Sequence, residues 1–171
     1  MSKFYKEIAT LKNLERKGWK IRNIKSPYNS RFESDAEHTF SMCLLALEII
    51  TKEKLNLNTE KVLKMCLYHE LGEIDVGDIT PFDNVTKQEK YNRELACINR
   101  VASVGEMNEI VDIWKEYEEN KTCEAKFVKI IDKLDAVNQA KVYAEQNNNP
   151  QIFEEFYNNY LTLIEEFKKY I

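Results

Sequence analysis

Apolar residues recur every three or four positions through almost the whole chain, and the strict alternation expected of a half-buried strand is missing. The pattern predicts an all-α fold. A first helix is expected over about residues 3–17, with Leu11 and Leu14 turned inward and Gly18 as its stop. Ser34-Asp-Ala-Glu37 reads as a capping box: the Ser hydroxyl accepts from a free backbone N–H and the Glu reaches back. It opens a helix to about Thr51. Asn58 suits the cap of a helix that carries Val62, Leu63, Cys66 and Leu67 inward and ends near Gly72. Thr86-Lys-Gln-Glu89 is a further capping box for a helix to about Ser103, and Gly105 separates it from one bearing Met107, Ile110, Val111 and Trp114. Thr122 caps a long helix over about residues 123–146. Asn147-Asn-Asn-Pro150 interrupts the chain, and Pro150 starts a last helix to about Tyr170. No repeat, linker or low-complexity stretch intervenes, so residues 1–171 are expected to form one helical bundle around a shared core.

Composition narrows the partners. The chain has 171 residues, 43% of them hydrophobic and 11% aromatic, which is enough apolar material for a real core. A net charge of −4 argues against a nucleic-acid polymer as partner. An anionic substrate must then be met by a metal or by a few placed cations. The N-terminus lacks the apolar core of a signal peptide and no run is long enough to span a bilayer, so a cytoplasmic protein without membrane contact is expected. Cys43, Cys66, Cys97 and Cys123 lie far apart with no Cys-x-x-Cys, which reads as free, buried thiols rather than a zinc ribbon or a disulfide framework.

The chain has 2 histidines, and both stand among acids: His38 in Ser34-Asp-Ala-Glu-His38, His69 in His69-Glu-Leu-Gly-Glu73-Ile-Asp-Val-Gly-Asp78. Imidazole nitrogen with carboxylate oxygen is the donor mixture of a site for a divalent cation. Taken singly, each histidine also reads as an ordinary core or surface residue. The His-Glu-x-x-His pattern of metalloproteases fails, because its fifth position here is Glu73.

The stretch from Tyr68 to Pro81, ending Gly77-Asp-Ile-Thr-Pro81, resembles the second signature of the HD-domain metal-dependent phosphohydrolases, in the branch of the 5′-deoxynucleotidases. Ala36-Glu-His-Thr-Phe-Ser41 is similar to the first signature and Ile131-Asp-Lys-Leu-Asp-Ala136 to the third, in the same order over about residues 11–142. The resemblance implies an all-α bundle of the HD type holding one divalent ion (Mn, Co, Fe, Ni or Zn) through His38, His69, Glu70 and Asp132. Glu70 departs from the family's Asp; it keeps the charge and both oxygens but adds a methylene, so its arm must fold back to ligate. Glu73 matches the acid that orients or deprotonates water, and Asp78 one beside the substrate that assists the leaving group. Arg16 and Trp19 match the segment that approaches substrate, Arg16 toward phosphate and Trp19 toward sugar or base. Both read equally well as a solvated helix-end cation and a core plug. Ile79, Thr80 and Pro81 would shape the loop beside Asp78, although Thr-Pro is also ordinary turn chemistry.

Resemblance alone selects Asp132, because the apolar face Phe127, Ile130, Ile131, Leu134 and Val137 does not centre on it; Asp135 reads as a solvated acid, and Lys133 as a solvated lysine. The implied reaction is hydrolysis of nucleoside or deoxynucleoside 5′-monophosphates. Two alternatives stand beside it: an inactive metal- or nucleotide-binding module, motivated by Glu70, and another HD-type phosphodiesterase or triphosphohydrolase. A homodimer is implied as well, with Phe153, Phe156, Tyr157, Tyr160 and Phe167 of the tail as a candidate interface, although the same residues suit a helix facing its own core.

Overall fold

A computed structural model of the chain describes residues 2–26, 30–80 and 83–168. Over these it consists of α1 (Lys3–Thr10), α2 (Lys17–Arg22), α3 (Asp35–Glu53), α4 (Thr59–Tyr68), a 3-10 segment (His69–Gly72), α5 (Glu73–Val76), α6 (Lys87–Gly105), α7 (Glu109–Glu119), α8 (Cys123–Gln146) and α9 (Gln151–Phe167). The described residues include no strand, only an isolated bridge between Glu15 and Ser34. None of their helices is long and apolar enough to cross a membrane.

The caps fall where side-chain chemistry predicts. Both halves of the Ser34 box are made, Glu37 N donating to Ser34 Oγ at 3.3 Å and Ser34 N to Glu37 Oε2 at 2.8 Å. The Thr86 box is complete too, at 3.2 and 2.9 Å. Asn58 accepts from Lys61 N at 3.1 Å and Thr122 from Ala125 N at 3.3 Å. Each such cap contributes about 1 kcal/mol by satisfying an amide that the helix cannot.

Some expectations change. The helix expected over 3–17 ends at Thr10, and Gly18 lies inside the separate α2. The intervening backbone bonds to the chain entering α3 instead: Arg16 N donates to Glu33 O at 2.8 Å, Asp35 N to Leu14 O at 3.0 Å and Ala36 N to Leu11 O at 3.2 Å. Those bonds replace the helical ones. Gly105 does separate α6 from the helix that follows, as the last residue of α6, with Glu106 closing it in the left-handed region at φ 54°. Leu67 is half-exposed, because the buried face of α4 runs through Val62, Met65, Cys66 and on to His69, which leaves position 67 off that face. Of the thiols, Cys66 and Cys97 are buried, Cys43 is half-buried and Cys123 exposed, and all are unpaired.

One apolar cluster is built by α3, α4, α7 and α8, with Met42, Ala46, Val62, Met65, Cys66, Val128 and Ile131 nearly inaccessible. A second joins α6, α7 and the 3-10 segment through Leu71, Ile98, Val101 and Trp114, and a third joins α2, α8 and α9 around Trp19, Tyr143 and Ile152. Burying each large side chain of this kind stabilises the fold by about 1.5–3 kcal/mol. The faces of the first cluster do not stop at apolar residues. One turn before Met42 the same face of α3 carries His38, one turn after Met65 and Cys66 the chain reaches His69, and directly after Ile131 comes Asp132, all buried. The core therefore ends in a buried polar cluster fed by three elements.

Candidate metal centre

His38 Nε2 lies 3.3 Å from Asp132 Oδ1 and 3.6 Å from Glu70 Oε1, and His69 Nε2 lies 3.2 Å from the same Glu70 oxygen. Both Nε2 atoms are buried, and neither makes a well-formed hydrogen bond. Leaving such atoms unmet costs about 1–3 kcal/mol each, so their convergence calls for a further occupant. The ligating atoms of His38, His69 and Glu70 all fall within 4.8 Å of one another. Two imidazoles with the carboxylates of Glu70 and Asp132 fit a borderline divalent cation by donor chemistry. Glu70 reaches the cluster because the chain tightens into a 3-10 turn over His69–Gly72, and its longer arm brings Oε1 back to the imidazoles.

Each imidazole is held from behind. His69 Nδ1 is 2.8 Å from the Cys66 carbonyl oxygen, and the His69 ring meets Tyr117 edge-on with centroids 5.4 Å apart. His38 Nδ1 is 2.7 Å from Asp135 Oδ2. Asp135, read from the sequence as solvated, is only 5% exposed. The apolar periodicity of α8 misleads here because its buried face widens at this turn to take Asp132 and Asp135 together. Lys133, in contrast, is exposed as expected, with Nζ 3.3 Å from Asp132 Oδ2.

Positive charge comes from Arg16, which stands just before α2. Its Nη1 donates to Glu70 Oε1, and its Nη2 is 3.9 Å from Asp132 Oδ1. Burial opposes the charge on Arg16, and the carboxylates of Glu70 and Asp132 more than restore it. Asp78 Oδ2 accepts from Lys17 N at 2.7 Å, which places the Asp78 turn against the start of α2. Lys17 Nζ also pairs with Asp83, which in turn accepts from Thr80 N at 2.8 Å and from Thr80 Oγ1 at 3.0 Å. Ile79 offers its carbonyl to Lys90 Nζ at 2.9 Å. Pro81 lies outside the described residues. Trp19 is 3% exposed, with Phe156 stacked on it, Tyr143 against its edge and its indole N–H donating to Glu33 at 2.6 Å. Of its two readings, the core plug is the one these neighbours fit.

The acids beside the imidazoles differ in environment. Glu73 is 5% exposed with Oε2 unpartnered; burial pushes its carboxyl well up, and the charges of Glu70 and Asp78 add to the rise. Asp35, fully buried with neither oxygen partnered, is pushed up to about 8 by burial and then by Glu70. A ligating oxygen from each of Asp35, Glu70 and Glu73 also lies within 4.8 Å of the other two. Asp132 and Glu70 move the other way: burial opposes their charge, but Lys133 and His38 for Asp132, and His69 and Arg16 for Glu70, hold both carboxyls low. On His38, burial and Arg16 work against the protonated form, yet the neighbouring carboxylates of Asp132 and Asp135 outweigh them and carry the ring up to about 9. Two carboxylates held charged beside two whose affinity for a proton is raised is an arrangement suited to proton transfer.

Sequence reasoning passed over Asp35 and misread Asp135 as solvated. Asp35 sits inside a capping box, where an acid in the first helical turn already has an explanation in the helix dipole. For Asp135 a signal existed: it is three residues after Asp132, hence on one face of α8 with it.

A family model described as HD domain matches residues 8–170. The 5′-deoxynucleotidase HDDC2 of Danio rerio is 38% identical over 160 residues, covering 92% of this chain and 76% of that relative. A protein of the same name from Dictyostelium discoideum is 39% identical over 151 residues, with 84% and 77% covered. The crystal structure of the PH0347 protein from Pyrococcus horikoshii is similar at a TM-score of 0.75 and 30% identity, covering 98% of this chain and 89% of that one.

Proposed function

We propose a function from one premise: this chain belongs to the HD domain family. It is a metal-dependent phosphohydrolase that removes phosphate from deoxynucleoside and nucleoside 5′-monophosphates. The observation that carries the reading onto particular residues is the pair of buried, unmet Nε2 atoms of His38 and His69, facing Glu70 and Asp132. In this reading those four side chains hold one divalent ion.

Such an ion supplies Lewis acidity, making hydroxide accessible near neutral pH and offsetting the charge of a phosphoryl group. The rest of the work falls to side chains. Glu73, buried one turn after His69, orients a water and takes its proton as the water oxygen bonds to phosphorus and the P–O5′ bond breaks. Asp78, held by the Lys17 amide, stands beside the leaving 5′-oxygen and supplies the proton it acquires. Arg16 presents its fork to the phosphate oxygens. Ile79 and Thr80 form the wall of the nucleoside site, with Ile79 tied to Lys90 and Thr80 to Asp83, and Pro81 is assigned to it by resemblance alone. Trp19 serves this site from the core, steadying α2 and so Arg16, rather than by stacking on a base.

The reading extends to a cytoplasmic homodimer. Its support is an apolar stripe on α3, where Phe40, Leu44 and Leu47 are exposed at helical spacing; of the tail residues Phe153 and Phe156 pack inward, Tyr157 is exposed, and the Phe167 side chain lies outside the described residues. Reconstitution with Mn, Co or Ni, followed by phosphate release from dAMP, dCMP and AMP, tests the activity. Release well above that of a His69→Ala control is expected. Equal release from the two proteins sinks the proposal.

A further inference from the structure

His38 is gripped from both sides of its ring by one helix. Asp132 Oδ1 is 3.3 Å from Nε2, and Asp135 Oδ2 is 2.7 Å from Nδ1. The ring is completely inaccessible and Asp135 is 5% exposed, so no solvent competes for either nitrogen. The two acids are three positions apart on α8 and thus share a face. His69 is treated differently, because its Nδ1 meets a backbone carbonyl, that of Cys66, at 2.8 Å. A carbonyl fixes a tautomer; a carboxylate fixes the tautomer and also raises the electron density on the opposite nitrogen.

We propose that Asp135 is a positioning residue for the metal centre: it accepts the Nδ1–H of His38, which commits the Nε2 lone pair to the cation and makes it a stronger donor. The inference rests on the reading of His38, His69, Glu70 and Asp132 as ligands. It goes beyond that reading in assigning a partner that touches neither ion nor substrate. It also accounts for the Asp132-x-x-Asp135 spacing: the first acid joins the ligand set while the second aims the imidazole. Asp135→Asn keeps an acceptor at Nδ1 without the charge, and Asp135→Ala removes both. Cation affinity should fall in the order wild type, Asn, Ala, with the Ala variant about 10–100-fold weaker.

The test uses Co(II) alone, with no substrate. Affinity is read by competition with a chromophoric chelator, ligand geometry by the visible absorption of bound Co(II), and folding by circular dichroism of the ion-free variants. A graded loss of affinity with an altered Co(II) spectrum in folded protein supports the inference. Unchanged affinity and spectrum with only a lowered melting temperature overturns it, leaving Asp135 a structural partner. If wild type itself binds no Co(II), the ligand reading fails, and the two failures are thereby distinguished. Should the variants not fold, long-range proton–nitrogen NMR of zinc-loaded wild type decides: a proton on His38 Nδ1 supports the assignment, and one on Nε2 overturns it.

Discussion

Arg16 stands where two demands on the same carboxylates meet. Its guanidinium bonds Glu70 and approaches Asp132 to 3.9 Å, so in the ion-free chain it balances charge that a divalent cation would otherwise balance. In the proposed reading, an ion held by Glu70 and Asp132 would compete with that pairing and free the fork for an incoming phosphate. Arg16→Met should therefore act with opposite signs on two measurements. Cation affinity by calorimetric titration should rise, since a competitor is gone. KM for dAMP should increase about 10–100-fold, because a charge-assisted hydrogen bond worth about 1.5–3 kcal/mol is lost. A variant in which both weaken together would make Arg16 a structural brace only. At this scale the sequence was informative about donors and silent about environment. His38 and His69 were recognisable by their acidic settings and Glu70 and Asp132 through the family resemblance alone, and Glu70 proves long enough to bring Oε1 to 3.2 Å from His69 Nε2. Asp135 and Trp19 carry no mark of their burial in residue type; only the packing of α8 against α3, and of Phe156 against Trp19, decides it.

At the level of elements, α6 is the backstop of the 3-10 turn that carries Glu70. Gly72 approaches it so closely that a Cβ there would stand 2.9 Å from Glu94 Cβ, an atom with no freedom to move aside. Gly72→Ala should cost about 1–3 kcal/mol in urea denaturation, by overpacking, and should lower activity further by shifting Glu70. Loss of stability with full activity retained would show that the turn relaxes without moving the site. From the same helix Lys90 lies 3.8 Å from Glu73, 3.4 Å from Glu94 and 2.9 Å from the Ile79 carbonyl, joining the proposed water-orienting acid to the Asp78 turn.

Glu94 itself gives α6 a pH signature. Burial carries its carboxyl from 4.5 up to about 7, against the pull of Lys90. Between those pH values the native protein holds a proton that the unfolded chain has released, so stability falls as pH rises through this window. Glu94→Gln should remove a decline on the order of 3 kcal/mol, measured by denaturation at pH 5 and pH 8 in chelator. An identical slope in wild type and variant would refute the assignment. The elements themselves were legible wherever a side chain marks a boundary, as at Ser34, Asn58, Thr86 and Thr122. The break between α1 and α2 was not, because it is made by backbone bonds to residues 33–36 that no local pattern announces.

Across the whole molecule, the polar cluster joins residues as far apart as His38 and Asp135, 97 positions along the chain, at one end of the core built by α3, α4, α7 and α8. An all-α fold followed from the spacing of apolar residues. Where the helices converge did not follow, because periodicity gives each helix a buried face and says nothing of which faces meet. Seven buried acids at Glu33, Asp35, Glu70, Glu73, Glu94, Asp132 and Asp135 make that convergence costly without a counter-charge. A cation bound by the native arrangement and not by the unfolded chain acts as a cross-link between three elements, and its stabilisation follows mass action. At a free ion concentration near 100 times Kd it amounts to about 2.7 kcal/mol. For a chain of this length that corresponds to a rise in Tm of about 5–10 °C, reversed by chelator. His69→Ala should abolish the rise, on top of a lower ion-free Tm that reflects the lost Cys66 bond and the lost packing on Tyr117. A Tm insensitive to Mn, Co, Ni and Zn alike would mean that these acids are balanced by Arg16, Lys90 and protons alone, and that the three elements meet without an ion between them.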